Sequence, residues 1–329
     1  MIRTLFLSVA LVWTVLCAAQ PVKVIFETDM GNDVDDVLAL DMLYKYEEQG
    51  LVELLLISCN KADSCAVPFI RSMNAFYGRP EIPVATSPAD LLPVQRHKSP
   101  GYAEQVVRSG RFPIPGGEVY DSVEKYREIL AAQEDAGVVI VSVGFCSNLQ
   151  RLLLSEPDRY SELPGRELVA RKVKYLSMMG GNFADDTKGE FNIRFDIGAA
   201  REVLASWPTP VLLSPWELGG RIFFRGETLA KLSYAEEHPL RMAYESYLPM
   251  PYDRECWDQT SVLAALPGVE SRFTLSERGR VEVDDRGVTR FVPTDEGRIR
   301  LLGASPRGCR RLAREIERTV TRVPRRFAE

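Results

Sequence analysis

The chain alternates between short apolar runs and longer segments in which apolar residues recur every three or four positions. The short runs predict strands buried on both faces, and the longer segments predict the amphipathic helices that cover them. The predicted strands lie at residues 22–26, 53–58, 82–84, 138–143, 172–178 and 210–214. The predicted helices lie at residues 35–49, 62–77, 121–135, 147–154 and 197–207. This alternation predicts an α/β fold with an open, mostly parallel, Rossmann-like sheet and helices on both faces.

The pattern changes after about residue 268. Short strands are predicted at residues 271–275, 280–284 and 288–292, which favours a small antiparallel C-terminal addition, and a last helix is predicted at about 305–322. Residues 298–326 contain ten arginines. Their face either contacts an anionic lipid or partner, or is a solvated surface paired with Glu315 and Glu317. Without repeats or a long linker, residues 20–329 are expected to form one domain with a core at about 22–292.

Residues 1–19 have the features of a signal peptide. Arg3 precedes an apolar run at residues 5–16, and small residues follow at Ala18 and Ala19. The run is shorter than the ~20 residues that span a bilayer, so no stable membrane span is expected. We therefore expect a secreted or periplasmic protein whose mature chain begins near Gln20; the alternative is a buried N-terminal helix.

Composition narrows the classes of function. Of the 329 residues, 45% are hydrophobic and 26% are charged, which is ordinary for a globular protein and excludes a mostly disordered chain. The formal net charge of −5 excludes a whole-chain cationic surface for nucleic acid. The chain has only 2 histidines, so any metal is expected to have oxygen ligands. Five scattered cysteines beyond residue 19 predict neither a disulfide scaffold nor a zinc site, although a Cys59–Cys65 bridge stays open.

A cluster of aspartates follows the first predicted strand. Asp29, Asp33, Asp35 and Asp36 lie within eight residues, and Gly31 permits a tight turn between them. Carboxylates gathered at the carboxyl end of a strand repel one another unless a cation compensates, and oxygen ligands suit Ca²⁺ or Mg²⁺. The alternative is a helix N-terminus with acids that interact with its dipole, which explains Asp35 and Asp36 but not Asp29.

This segment resembles the N-terminal signature of the inosine–uridine-type nucleoside hydrolases, in which an Asp-x-Asp-x-Gly turn leads to an Asp-Asp pair and an Ala-Leu helix. The pair falls on Asp35 and Asp36, and the two motif aspartates fall on Glu27 and Asp29. The turn is two residues longer than the commonest form and adds Asp33.

Further segments resemble the same family in the expected order, over about residues 22–292. They are Ser58-Cys59-Asn60, Ser142-Val143-Gly144 with Ser147-Asn148-Leu149, Met179 to Asn182, Gly189-Glu190-Phe191-Asn192-Ile193, and Trp257-Asp258. The first motif and Glu190-Phe191-Asn192 are the specific ones; the ordered set makes the resemblance strong.

The resemblance implies one nucleoside hydrolase domain that uses Ca²⁺ to hydrolyse the N-glycosidic bond of ribonucleosides through an oxocarbenium-like transition state. The implied metal ligands are Asp29, Asp36, the Val143 carbonyl and Asp258, and Asp29 is also the implied general base. The implied substrate-binding residues are Asp35, Asn60 and Asn192 for ribose hydroxyls, and Glu190 and Asn182 for the 5′-hydroxyl.

Structural alternatives exist for several of these residues. Asn60, Asn148 and Asp258 could cap helices, and Glu190 and Asn192 could be polar residues of a surface loop. Asn74 is expected to be structural.

The base-protonating group is where the sequence departs from the family. Relatives often have histidine at the position of Trp257, and neither His97 nor His238 aligns there. Trp257 could stack on a purine, so purine nucleosides are expected to react faster, with His97 as the one rescue candidate. Two other functions stay open: a secreted binding protein of the same fold, and a Mg²⁺ phosphohydrolase, which Glu27 at the motif start disfavours. The expected partner is a small ribonucleoside, and a homo-oligomer is open.

Overall fold

The computed structural model describes residues 20–31, 33–93, 101–232 and 234–328. Its strands are β1 (Val22–Thr28), β2 (Val52–Cys59), β3 (Val84–Thr86), β4 (Tyr120–Asp121), β5 (Val138–Ser142), β6 (Val173–Met179), β7 (Val211–Ser214), β8 (Phe223–Phe224), β9 (Arg254–Glu255), β10 (Thr274–Leu275), β11 (Gly279–Val283), β12 (Thr289–Pro293) and β13 (Ile299–Gly303).

Its α-helices are α1 (Asp35–Glu48), α2 (Ala66–Phe76), α3 (Tyr102–Arg108), α4 (Ser122–Ala132), α5 (Ser147–Leu153), α6 (Gly165–Lys172), α7 (Phe191–Phe195), α8 (Ile197–Ser206), α9 (Trp216–Gly219), α10 (Gly226–Ala230), α11 (Pro239–Tyr247), α12 (Trp257–Ala265), α13 (Val269–Arg272) and α14 (Pro306–Val320).

The main sheet has the order β12-β11-β13-β7-β6-β5-β1-β2-β3-β4, with β10 paired to β13. All neighbours from β13 to β4 run parallel, while β10, β11 and β12 are antiparallel additions. The fold class predicted from the sequence is therefore confirmed. The order reverses between β5 and β1, which makes a crevice at the carboxyl ends of these two strands.

Two hydrophobic cores cover the two faces of the sheet. Val24 and Phe26 of β1 belong to one core and Ile25 to the other, as the two-residue repeat of a strand requires. All three side chains are fully buried. This double burial is why the strands appear in the sequence as continuous apolar runs.

Most predicted elements lie within two residues of their observed bounds, although the helix predicted at 121–135 ends at Ala132 and the strand predicted at 271–275 begins at Thr274. The helix predicted at 62–77 begins only at Ala66, because the Asp63 carboxylate accepts a hydrogen bond from the Cys65 amide at 2.8 Å and forms a turn. The strand predicted at 82–84 is displaced to Val84–Thr86. Asp121 is the N-cap of α4: its carboxylate accepts hydrogen bonds from the Val123 and Glu124 amides.

The C-terminal addition is joined to the main sheet by a strand that the sequence did not predict. Strand β13 runs parallel to β7 and also pairs with β10 and β11, so the antiparallel strands extend the main sheet. Helix α14 follows, with Ser305 as its N-cap. Glu315 and Glu317 do not pair with arginines of α14: Arg272 binds Glu315 at 2.9 Å, and Arg225 binds Glu317 at 2.5 Å.

The sequence also led us to expect a signal peptide and no membrane-spanning helix, and left a Cys59–Cys65 bridge open. The predicted signal peptide at 1–19 lies outside the described residues. In the ranges given above, no helix is both long and apolar enough to cross a membrane. Cys59, Cys65, Cys146, Cys256 and Cys309 are free thiols, so the Cys59–Cys65 bridge is not formed.

Candidate functional site

A cavity of about 660 Å³ opens at the carboxyl ends of the central strands. Its walls include Asp29 after β1, Val143 after β5, Met179 at the end of β6 and Trp216 after β7. This is the strand-order reversal at which open α/β sheets bind ligands, and the volume suits a small organic molecule.

Two glycines let the loops at this edge approach one another. A Cβ on Gly144 would lie 2.5 Å from the Asp29 amide nitrogen and 2.6 Å from Asn60 Oδ1, so only glycine fits there. Gly31 has φ +103°, a conformation that other residues rarely adopt, and its amide donates to the Tyr102 hydroxyl at 2.6 Å. The Asp29 loop is therefore fixed by backbone packing.

Three buried carboxylates meet at the bottom of the cavity. Asp35 and Asp36 lie in the first turn of α1, and Asp258 lies in the first turn of α12. One oxygen from each lies within 4.8 Å of the others. The Asp258 amide donates to Asp35 Oδ2 at 3.3 Å, and the Thr28 hydroxyl donates to Asp36. Two helix N-termini therefore converge where negative charge is concentrated.

The electrostatics of these groups favour a bound cation. Burial raises the pKa of Asp35, Asp36 and Asp258 well above the ordinary range, and the neighbouring carboxylates raise it further. Asp29 contributes to this repulsion at all three. A divalent ion between them would remove the repulsion, so this donor set fits a hard metal ion with oxygen ligands.

The predicted ligands Asp29 and Val143 flank this triad. Both line the cavity, and both are almost fully buried. The Val143 carbonyl accepts a hydrogen bond from Asn192 Nδ2 at 2.9 Å, which leaves a second lone pair on that oxygen. Asn192 also lines the cavity, so its amide connects the implied ribose and metal positions.

Glu190 lines the cavity as the N-cap of α7. Its carboxylate accepts hydrogen bonds from the amides of Asn192 at 2.9 Å, Ile193 at 3.2 Å and Gly181 at 3.2 Å. Glu190 and Asn192 are 5% and 6% exposed, so the surface-loop alternative for these residues is wrong. Asp258 is likewise buried inside the first turn of α12, where Cys256 is the N-cap.

The structure does not bring Asn60 or Asn182 to the cavity wall. Asn60 is fully buried behind it and accepts from the Phe145 amide at 3.0 Å, so it braces the Val143–Gly144 loop. Asn182 accepts from the amides of Ala184 and Asp185, both at 3.2 Å, and lines a neighbouring surface pocket. Their expected contacts with ribose stay predictions.

Two other asparagines are structural. Asn148 Nδ2 donates to Glu27 Oε1 at 2.6 Å instead of capping α5, and Tyr126 donates to the other Glu27 oxygen. Burial raises the pKa of Glu27 to about 7, although these hydrogen bonds oppose the shift. Asn74 donates to the Ile82 carbonyl at 3.0 Å inside the core, as expected.

Part of the cavity wall is aromatic. Trp257 lines it, with its indole N–H donating to the Trp216 carbonyl at 2.9 Å and its ring stacked 6.3 Å from that of Trp216. Trp216 is 45% exposed, and Tyr247 and Leu248 complete this wall. Sequence reasoning missed Trp216, although its place directly after strand β7 was a usable signal.

The histidines give no base-protonating group in the described part of the chain. His97 lies outside the described residues. His238 is buried against Asp41, Phe76 and Tyr77 and does not line the cavity.

Comparisons with known proteins agree with this geometry. A sequence model of the inosine-uridine preferring nucleoside hydrolases matches residues 24–306. No curated protein matches the chain. Among solved structures, a plant nucleoside hydrolase has a TM-score of 0.73 at 19% identity, and the match covers 92% of this chain and 99% of that one.

Two bacterial structures are also similar to this chain in fold, at low sequence identity. An inosine-uridine preferring nucleoside hydrolase from Bacillus anthracis has a TM-score of 0.65 at 19% identity, covering 92% of this chain and 99% of that one. A purine-preferring ribonucleoside hydrolase from Gardnerella vaginalis has a TM-score of 0.65 at 17% identity, covering 91% and 99%. At these identities the structures support the fold, and the match over residues 24–306 establishes the family. The chain belongs to the inosine-uridine preferring nucleoside hydrolases, a family of hydrolases that act on N-glycosyl compounds.

Proposed function

We propose that this protein hydrolyses the N-glycosidic bond of ribonucleosides to free base and ribose in a Ca²⁺-dependent reaction. The observation that carries the proposal is the convergence of Asp35, Asp36 and Asp258 within 4.8 Å at the bottom of the cavity. Asp29, Asp36, Asp258 and the Val143 carbonyl would hold the ion. A bound Ca²⁺ would supply charge that orients a water molecule and the ribose hydroxyls.

The protein side chains then have separate tasks. The Asp29 carboxylate accepts a proton from the attacking water, a task worth roughly 10²–10⁴-fold in rate. Asp35 accepts hydrogen bonds from ribose hydroxyls, and Asn192 can present its amide oxygen because its Nδ2 is engaged by Val143. Glu190 faces the 5′-hydroxyl. The negative charge of this wall stabilises the positive charge that develops on the sugar in an oxocarbenium-like transition state.

The aromatic wall would receive the departing base. Trp216 offers a half-exposed ring, whereas the Trp257 ring is covered in part by Arg254, whose guanidinium lies 4.9 Å from its centroid. We therefore assign stacking on the base to both tryptophans, with Trp257 also orienting Trp216. Among the described residues that line the cavity there is no histidine. Purine ribonucleosides should therefore react faster, because a purine can accept a proton from solvent at a ring nitrogen. Two neighbours in fold have names that mention purine-preferring or inosine-guanosine hydrolysis.

Incubation with inosine and with uridine tests this function. Release of base and ribose, abolished in Asp29→Asn and kept in the surface variant Asp135→Asn, supports it. Binding without products would indicate a binding protein, and phosphate release from a phosphoester would indicate a phosphohydrolase. Faster uridine turnover, or unchanged kcat/KM for inosine in Trp216→Ala and Trp257→Ala, would refute the role of the aromatic wall.

We also propose export, on the pattern of residues 1–19. N-terminal sequencing of the protein recovered from its native host would test it, with Gln20 as the expected first residue.

A further inference from the structure

The longer turn after β1 contains an additional carboxylate that is already bound. Both oxygens of Asp33 are held by Arg254: Nε donates to Oδ1 at 2.9 Å, and Nη2 donates to Oδ2. This two-pronged geometry is the strongest form of an arginine–carboxylate pair. The two side chains are only 25% and 16% exposed, so solvent screens the pair weakly. Asp33 lines the cavity, where Arg254 is its counter-ion.

Arg254 joins three segments that contribute to the cavity. It lies on β9, three residues before Trp257, and its guanidinium lies 4.9 Å from the Trp257 ring and 5.3 Å from the Tyr247 ring. Its Nη1 donates to Glu255 at 2.8 Å. One planar cation therefore contacts the turn after β1, the end of α11 and the start of α12, and arginine suits such combined stacking and forked pairing.

The start of α12 also contacts the residues that follow the turn after β1, at the acidic triad. The Asp258 amide donates to Asp35 at 3.3 Å, and Gln259 Nε2 donates to the Asp35 carbonyl at 2.8 Å. The Asp33–Arg254 pair thus lies directly beside the contact that sets the distance between Asp35 and Asp258.

We propose that Asp33 and Arg254 form a clamp that positions the acidic triad for its metal ion and Trp257 for the base. This inference rests on the proposed function. Arg254 acts as a positioning residue: it holds the turn against α12, binds the Asp33 carboxylate and supports one side of the indole. Loss of the clamp frees a fifth carboxylate beside the ion and loosens the aromatic wall.

Metal binding and steady-state kinetics of clamp variants test the proposal. In Arg254→Gln, titration calorimetry should show Ca²⁺ affinity reduced by about tenfold or more, as is usual when a group that supports a metal ligand is removed. KM for inosine should rise more than kcat falls. Arg254→Lys should recover only part of the affinity, because lysine cannot form the fork. Asp33→Asn, which keeps the size of the side chain, should likewise lower Ca²⁺ affinity and raise KM for inosine.

The double variant and a matched control separate a clamp from general destabilisation. Asp33→Asn with Arg254→Gln should lose less affinity than the sum of the two single losses, since both remove one interaction. Arg225→Gln, which removes an exposed pair with Glu317, should change neither Ca²⁺ affinity nor KM. If Arg254→Gln does not fold, Asp33→Asn and Arg254→Lys carry the test.

The outcomes distinguish this inference from the proposed function. Ca²⁺ affinity and KM within twofold of the wild type in both Asp33→Asn and Arg254→Lys would overturn the clamp while leaving hydrolysis intact. A wild-type protein that binds Ca²⁺ but releases no base would overturn the proposed function. The Ca²⁺ affinities of the clamp variants would then be the test of the clamp. Additive losses in the double variant would also overturn it.

Discussion

Helix α1 carries two buried aspartate sites of opposite character. Asp35 and Asp36 in its first turn have pKa values raised by burial and by neighbouring carboxylates. Asp41 is equally buried, but Lys45 and His238 outweigh burial and lower its pKa. The pKa of a buried aspartate on α1 is therefore raised at one site and lowered at the other, and the neighbouring charges determine the direction. We call Asp29, Asp35, Asp36 and Asp258 the open cluster, and Asp41, Lys45, Tyr77 and His238 the closed cluster.

The closed cluster satisfies each of its charges. Lys45 Nζ lies 3.0 Å from Asp41 Oδ2 and donates to the Tyr234 hydroxyl at 3.1 Å and to the Val320 carbonyl at the end of α14. His238 Nδ1 accepts from the Leu240 amide, so Nε2 carries the proton that is donated to Asp41 at 2.8 Å. This network fastens the C-terminal helix to α1.

The open cluster concentrates charge of one sign beside a cavity. Such an arrangement lowers stability unless a ligand compensates, which is why perturbed carboxylates in a cleft indicate function. Burial alone therefore does not identify a site. Like charges that share a cavity identify it, whereas paired charges indicate structure.

The largest expected difference between the clusters is in catalysis. Asp29→Asn should lower kcat for inosine at least ~10²-fold, because a carboxamide cannot accept a proton from water. Exhaustive chelation should abolish activity, and Ca²⁺ should restore it. Asp41→Asn should leave kcat per folded molecule roughly unchanged, since Asp41 does not line the cavity. Equal kcat losses in Asp29→Asn and Asp41→Asn would remove the functional distinction.

The next effect is on stability and belongs to the closed cluster. Lys45→Met leaves Asp41 and the Val320 carbonyl buried without their cation. Breaking a buried pair in this way costs about 3–5 kcal/mol of unfolding free energy. Urea unfolding should show this loss equally with and without Ca²⁺. A loss that Ca²⁺ rescues would mean that the two clusters are coupled along α1.

In the open cluster we expect a smaller change in unfolding free energy, and in the stabilising direction. Without metal, Asp36→Asn should stabilise the protein by about 1 kcal/mol, because it removes one repelling charge at the expense of function. The Thr28 hydroxyl can still donate to the amide oxygen. The same variant should lose most of the rise in melting temperature that Ca²⁺ causes in the wild type. Thermal unfolding with and without Ca²⁺ measures both effects, and a destabilised metal-free variant would argue against repulsion.

The sequence predicted the open cluster better than its surroundings. Asp29, Asp35 and Asp36 follow an apolar strand, and ligand sites lie at strand ends, so local pattern sufficed. The sequence did not indicate that Asn182 lies outside the cavity wall, because its loop is held by a distant residue: the Thr289 hydroxyl accepts from the Asn182 amide and donates to its carbonyl, both at 3.0 Å.

The unpredicted parts depend on long-range packing. Strand β13 lies in an arginine-rich stretch, and its pairing with β7 joins residues about 90 positions apart. Tyr247 and Arg254 come from a region of short elements, where no periodicity indicates which side chain faces the cavity. The two clusters on α1 could not be told apart from the sequence, because Lys45 and His238 meet Asp41 only in the fold.

The smallest expected effect is the pH dependence of stability, and its sign differs between the clusters. Asp35, Asp36 and Asp258 have raised pKa values in the folded state, so in the metal-free protein their contribution is present below the ordinary aspartate range and is lost as pH rises through the folded values. Burial lowers the pKa of His238 from 6.5, so its contribution is present above that pH and is lost as pH falls.

Melting temperatures of the metal-free protein between about pH 5 and pH 8 test both signs. Asp36→Asn should flatten the loss toward high pH, and Ca²⁺ should do the same in the wild type. His238→Gln, which retains a donor for Asp41 but does not titrate, should flatten the loss toward low pH. The two variants should change opposite sides of the plot of melting temperature against pH, because the open cluster lacks compensating charge and the closed cluster contains it. If His238→Gln instead flattened the high-pH side, the imidazole would be protonated in the folded state, and the closed cluster would hold a charged histidine.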